Sequence, residues 1–181
     1  MHQEIIISGF GGQGALFAGQ LLAYGALEEG RHVTWIPSYG PEMRGGTANC
    51  TVIISDEEIG SPLVRHPTAA IVLNPPSFER YEPLIKRDGL LLVNSSLVNI
   101  PPHRTDIRRV DVNAVKMATE LGASQMANVI LVGALVGATG VLKMETLDKV
   151  LEDHVSARHR DKLAANKLAL RKGAALVASA S

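Results

Sequence analysis

EIIISGFGGQG, from Glu4 to Gly14, is the stretch whose reading decides the fold. Its first half is a continuous apolar run rather than an alternating one, as in a strand buried on both faces. The glycines that follow turn the chain. Apolar residues at helical spacing then run to about Glu29, where Gly30 stands as a C-terminal stop. A buried strand, a glycine turn and an apolar helix in that order open an α/β domain.

Outward from this unit the pattern repeats. HVTWI (His32 to Ile36) reads as a second strand and TANCTVIIS (Thr47 to Ser55) as a third. AAIVLN (Ala69 to Asn74) is a fourth, stopped by Pro75 and Pro76, and Ser77 to Arg87 reads as a helix shortened or kinked by Pro83. GLLLVNSS (Gly89 to Ser96) is a fifth strand, and DIRRVDV (Asp106 to Val112) alternates as an edge strand does. Helices are expected at Ala114 to Leu121, Gln125 to about Val136, Glu145 to His154 and Arg158 to about Val177. No linker or repeat divides the chain, so residues 1–181 are expected to form a single domain. The solution this order favours is one doubly wound, mostly parallel sheet, Rossmann-like, with helices on both faces.

Composition excludes several classes. The chain has 181 residues, is 46% hydrophobic, and carries 18 Lys+Arg against 18 Asp+Glu, so it has a core and no global basic field for nucleic acid. Aromatic residues make up 4%, too few for a series of base-stacking platforms. The single cysteine, Cys50, cannot build an internal disulfide, an iron–sulfur cluster or a cysteine-rich zinc site. The N-terminus lacks the basic region of a signal peptide. The most apolar stretch, Ala127 to Leu142, is shorter than the roughly 20 residues that span a bilayer and contains Asn128, so it reads as a buried helix. A reduced, cytoplasmic setting without membrane contact is expected.

Gly9, Gly11 and Gly14 form G-x-G-x-x-G, with Gly12 and Gln13 between them. Glycine permits left-handed backbone and close approach to a ligand, and unpaired N–H groups at a helix start attract an anion. The same glycines could serve tight strand–helix packing alone. A dinucleotide site wants a carboxylate at the end of the second strand, where this chain has Ile36, Pro37 and Ser38, so ordinary NAD binding is disfavoured. The Lys and Ser/Thr of a P-loop are also missing. The second informative stretch is SYGPEMRGGTANC (Ser38 to Cys50), which leaves the carboxyl end of a strand. Arg44 in it could grip a phosphate or carboxylate, bridge to a carboxylate of a partner chain, or pair at the surface with Glu42.

With GFGGQG after a first strand, then SYGPEMRGGTANC, then VIISDEEIGSP, the chain resembles the gamma subunit of the 2-oxoacid:ferredoxin (acceptor) oxidoreductases, in the form closest to the 2-oxoglutarate type. The resemblance continues more loosely through NPPS (Asn74 to Ser77) and LLLVNSS. It implies part of an enzyme that oxidatively decarboxylates a 2-oxoacid with coenzyme A, giving acyl-CoA, carbon dioxide and reduced ferredoxin. It also implies alpha and beta catalytic subunits holding thiamine diphosphate and Mg, with iron–sulfur clusters in partner subunits, including a ferredoxin-like delta chain. The chain itself has no glycine-aspartate-glycine element for thiamine diphosphate, since Asp88-Gly89 lacks the leading glycine. On this resemblance the gamma chain contributes to coenzyme A binding and to assembly and is inactive alone. Gly9, Gly11, Gly12, Gln13 and Gly14 are expected to contact the coenzyme, with Arg44 assisting them or docking on the catalytic subunits. The other readings are an assembly subunit that binds no coenzyme and a stand-alone protein binding a nicotinamide or flavin cofactor.

The remaining candidates read as structural. Cys50 is a small buried hydrophobe, Trp35 a core residue, and His154 and His159 lack the spacing of a metal pair. Asn74, Asn94, Ser95 and Ser96 stand at carboxyl ends of strands, where they line a cleft or cap helices and turns. Arg160, Lys167 and Arg171 share a face of the last helix, either solvated or docked on an acidic partner.

Overall fold

The computed structural model describes residues 1–38, 47–154 and 162–178. Strand β1 (His2–Phe10) leads into helix α1 (Ala15–Glu28), and β2 (His32–Ser38) and β3 (Thr47–Ser55) follow. Next come β4 (Ala69–Val72), α2 (Pro75–Tyr81), β5 (Leu90–Asn94) and β6 (Arg108–Val112). The order closes with α3 (Ala114–Glu120), α4 (Ala127–Thr139), α5 (Met144–His154) and α6 (Leu163–Ala178). One boundary differs in kind from the sequence expectation. Pro75 and Pro76 begin α2 rather than precede it, because Asn74 Oδ1 accepts the Ser77 N–H at 2.9 Å and caps the helix, and the first turn needs no proline N–H. The helix gives way at Glu82 to a single 3₁₀ turn containing Pro83.

The six strands form one sheet in the order β2-β3-β1-β4-β5-β6. The pairs β1/β4, β4/β5 and β5/β6 are parallel, while β3 runs antiparallel to both β1 and β2. Every strand except β3 therefore points the same way, and the sheet is mostly parallel as expected. The exception has a plain cause. Residues 39–46 join β2 to β3, fewer than the dozen or more that a parallel crossover needs. The chain winds from β1 to one edge, then from β4 to the other, and the reversal falls between β1 and β4.

The two faces are unequal. Alternate residues of the strands separate into a large core with Ile5, Ile7, Ile54 and Ile71 under α1 and α3–α6, and a smaller one with Ile6, Val72, Leu91 and Val93 under α2. Each such buried side chain contributes about 1.5–3 kcal/mol. Helix α1 ends in a Schellman turn: the N–H groups of Gly30 and Arg31 reach the carbonyls of Leu27 and Ala26 at 2.9 Å, and Gly30 supplies the left-handed φ of 69°. Helix α4 is apolar nearly all round because it is enclosed by the sheet and α6, and Asn128 through Val136 are buried without a break. Helices α4 and α6 touch backbone to backbone. A Cβ on Gly133 would overlap the Leu170 carbonyl, and one on Gly173 would overlap the Ile130 carbonyl. Among the described residues no helix is long and apolar enough to cross a membrane.

Candidate functional site

The glycine-rich turn lies at the carboxyl end of β1, beside the ends of β4 and β5, where the winding reverses. Open α/β sheets bind ligands at this position. The turn is held from within: the Gln13 N–H donates to the Phe10 carbonyl at 3.1 Å, and Gln13 Oε1 accepts the Phe10 N–H at 2.6 Å. Gln13 Nε2 donates to the Leu73 carbonyl at 3.3 Å and ties the turn to the end of β4.

The glycines divide by cause. Gly9 is small because a Cβ would stand 2.7 Å from Gln13 Oε1 and 2.7 Å from the Leu73 Cβ. Gly14 has φ 76° and ψ 23°, and a Cβ there would overlap the amide of Asn128, which itself donates to the Gly14 carbonyl at 3.0 Å. These two positions answer to packing and backbone shape. Gly12 differs: its φ is 91°, it is exposed, and nothing stands within 4 Å of where a Cβ would be. Gly11 is likewise exposed. Because the residue at the start of α1 is Gly14, no side chain caps that helix. Its first N–H groups are left for another partner, with the positive end of the helix dipole behind them.

In front of the turn is a cleft of about 150 Å³. Gly12 and Gln13 of the turn line it with Leu73, Asn94, Leu97 and Val115, together with Gln125 and, at the start of α4, Ala127. Asn94 is 1% exposed, and its Oδ1 has no hydrogen-bond partner among the described residues. Its main-chain carbonyl accepts the N–H groups of Leu97 and Val98, both at 3.0 Å, and so fixes the bend at which the side chain sits.

Arg44, with Glu42, lies outside the described residues. The residues flanking its segment are placed at the end of the sheet that carries the glycine turn. Thr47 is in register with Phe10 of β1, and Ser38 with Asn49 of β3.

Other sequence candidates take structural roles. Asn74 caps α2, as described above. Ser96 Oγ donates to Asn113 Oδ1 at 2.5 Å and accepts the Val115 N–H at 3.0 Å, which caps α3 from a neighbouring loop. The main-chain N–H of Ser95 joins the end of β5 to Val112 at 2.9 Å. Cys50 is buried, its thiol directed at the Ala15 carbonyl at 3.4 Å, and burial pushes its pKa up to about 12. Trp35 is partly buried against the large core. His154 stacks on Tyr24 with ring centroids 4.0 Å apart, while His159 and Arg160 lie outside the described residues. Lys167 and Arg171 are engaged within the chain, pairing with Glu152 and Asp148 of α5.

Sequence reasoning missed Asn128, the residue that anchors Gly14. The available signal was a lone amide in the otherwise apolar start of α4, 5% exposed in the structure. It also missed Leu73, Leu97 and Val115 as cleft walls. They come together only through the sheet order, and no local pattern marks them.

Residues 4–176 match the pyruvate ferredoxin/flavodoxin oxidoreductase family, and the chain belongs to it. Within that family it is of the gamma-subunit type. It is 36% identical to the 2-oxoglutarate synthase subunit KorC of Methanocaldococcus jannaschii, over 96% of this chain and 92% of that one. The gamma subunit of a keto/oxoacid ferredoxin oxidoreductase from Geobacter sulfurreducens PCA superposes with a TM-score of 0.84 at 30% identity, covering 98% of this chain and 99% of that one. The ketoisovalerate oxidoreductase subunit VorA of Methanothermobacter marburgensis is 39% identical over 76% of this chain. The match spans only 29% of VorA, so the same fold there forms part of a longer polypeptide.

Proposed function

We propose that this chain, as a single domain over residues 1–181, is the gamma subunit of a cytoplasmic complex that oxidatively decarboxylates 2-oxoglutarate with coenzyme A. The products are an acyl-CoA and carbon dioxide, and ferredoxin takes the electrons. Alpha and beta subunits hold thiamine diphosphate and Mg, and partner chains including a ferredoxin-like delta subunit hold the iron–sulfur clusters. The gamma chain adds coenzyme A binding and assembly. The carrying observation is the uncapped start of α1 behind the open, left-handed Gly12, at the reversal point of the sheet. Phosphate groups suit that position, because backbone N–H groups and the helix dipole stabilise negative charge without a lysine. Gly9, Gln13 and Gly14 hold the shape of the turn, Gly11 and Gly12 face the ligand, and Arg44 either adds a phosphate contact or docks on a catalytic subunit.

The near full-length likeness to KorC supports 2-oxoglutarate as the substrate, and the likeness to VorA favours a branched-chain oxoacid as the second reading. A second functional reading, assembly without coenzyme binding, draws on Gly9 and Gly14, whose identity packing alone explains. The test is coenzyme A-dependent ferredoxin reduction by the complex isolated anaerobically through this chain. The substrates compared are 2-oxoglutarate, 2-oxoisovalerate and pyruvate. Reduction fastest with 2-oxoglutarate supports the proposal; reduction fastest with 2-oxoisovalerate moves the substrate to the second reading. No activity with any of the three contradicts both.

A further inference from the structure

Helix α1 departs from the pattern of a surface helix, which sets polar and charged residues on the face away from the core. Ala18, Leu22 and Ala26 are buried in the large core, and no charged residue occurs before Glu28. The outer face carries Phe17, Tyr24 and Leu27, which are 40%, 39% and 57% exposed, with Gln20 among them. Contiguous apolar surface in contact with water marks a face built to be covered. This face has both halves of a fit. Phe17, Gln20, Leu21 and Tyr24 stand at positions i, i+3, i+4 and i+7 and frame a depression of about 200 Å³, backed by Val150 and Leu151 of α5. Four residues so spaced form the hole that receives one side chain of a facing helix, and the volume is below the roughly 300 Å³ at which pockets for whole ligands begin. The rim at Tyr24 is braced by the His154 ring, stacked on it with centroids 4.0 Å apart. Leu27, seven residues beyond Gln20 and so on the same side of the helix, is the projecting knob.

We propose that α1 is the contact between two copies of this chain in the complex: their α1 helices pack antiparallel about a two-fold axis near Tyr24, and Leu27 of each copy enters the hole of the other. The surface itself favours a second copy as the occupant. Knob and hole lie on one helix, about 10 Å apart along it, so a single two-fold axis seats both at once and the pair closes with neither left over. The helix has no charge from Ala15 to Leu27, so two copies meet without the like-charge repulsion that a charged helix meets against itself. The axis lies about 15 Å along α1 from the glycine turn, and the contact forms whatever that turn binds.

The test is cross-linking, with a short bis-maleimide, of the anaerobically isolated complex carrying Tyr24→Cys. Cys50 is the chain's single cysteine and is buried, so the introduced thiol is the reactive one in this chain. The expected product is a covalent pair of this chain, at twice its mass, and it should be lost when Leu27→Glu is added. Because Leu27 is largely exposed, Leu27→Glu should leave the melting temperature unchanged. Gln20→Cys, one turn earlier on the same stripe, gives the same comparison should Tyr24→Cys fail to assemble. Absence of any product overturns the proposal, and so does a product that joins this chain only to a catalytic subunit, which would then be what covers α1. A pair that persists with Leu27→Glu overturns the assignment of the knob and its hole.

Discussion

The side-chain amide of Asn128 donates to the carbonyl of Gly14 at 3.0 Å, and this one bond joins the first turn of α4 to the first turn of α1. Two helix N-termini are thereby fixed at the glycine turn. The bond explains why position 14 admits no side chain, whereas position 12, two residues earlier, opens on empty space.

Gly14→Ala and Gly12→Ala should therefore differ. Both force a side chain into left-handed backbone, at about 1–2 kcal/mol. Only the first also displaces Asn128 and strands a buried amide, at about 1–3 kcal/mol more. Denaturant unfolding should show the larger loss for Gly14→Ala. Equal losses would mean that the Asn128 contact contributes nothing.

The α4–α6 contact should be intolerant of a single methyl group. Gly133→Ala and Gly173→Ala each push backbone against backbone, and a loss at or above the roughly 1–3 kcal/mol typical of overpacking is expected for each. Melting temperatures of the two variants test this, and a shift below 1 °C would show that the helices separate freely.

Cys50 should resist thiol reagents in the folded protein. Burial raises its pKa from 9.0 to about 12, so the thiol stays protonated where an unfolded chain would ionise. The sign follows from proton linkage: above the unfolded value the unfolded state binds fewer protons, so stability falls as pH rises from about 9 toward 12. The slope from this group is about 1.4 kcal/mol per pH unit and should vanish in Cys50→Ala. Unfolding free energies of the two proteins across that range decide it. Parallel curves would place the thiol in contact with solvent.

Helix α6 should not act through its basic face alone. Lys167 and Arg171 already pair with Glu152 and Asp148, and the Lys167–Glu152 pair is open enough to solvent that it contributes about 0–1 kcal/mol. Lys167→Ala should lower stability by no more than that and leave complex assembly intact in a pull-down. Loss of assembly would give α6 a docking role.

Much of the fold was legible because its signals are local. The continuous apolar run of β1, the stop at Gly30 and the alternation of β6 each lie within a few residues, and each matches an observed element. The direction of β3 was legible in principle, from the short span between Ser38 and Thr47, but strand content alone does not carry direction. The helix start at Pro75 was hidden because proline punctuates strands and begins helices with the same residue, and only the Asn74 cap separates the two. The glycine turn was legible as a candidate site from its spacing. What divides its glycines by cause, Leu73 behind Gly9 and Asn128 behind Gly14, comes from 64 and 114 residues away in sequence and was not. The same holds for the cleft, whose lining residues Gly12, Leu73 and Asn94 are brought together only through the order β1-β4-β5.

The most direct measurement is the KM for coenzyme A of the assembled complex carrying Gly12→Asp, with Gly12→Asn as the uncharged control of the same shape. On the proposed coenzyme A reading, a carboxylate at the uncapped start of α1 would compete with the coenzyme's phosphates for the same N–H groups. The KM for coenzyme A should be at least about tenfold higher in Gly12→Asp than in Gly12→Asn, with the KM for the 2-oxoacid and the subunit composition unchanged. An unaltered KM for coenzyme A in a fully assembled Gly12→Asp complex would contradict that reading and leave the glycine turn a packing device.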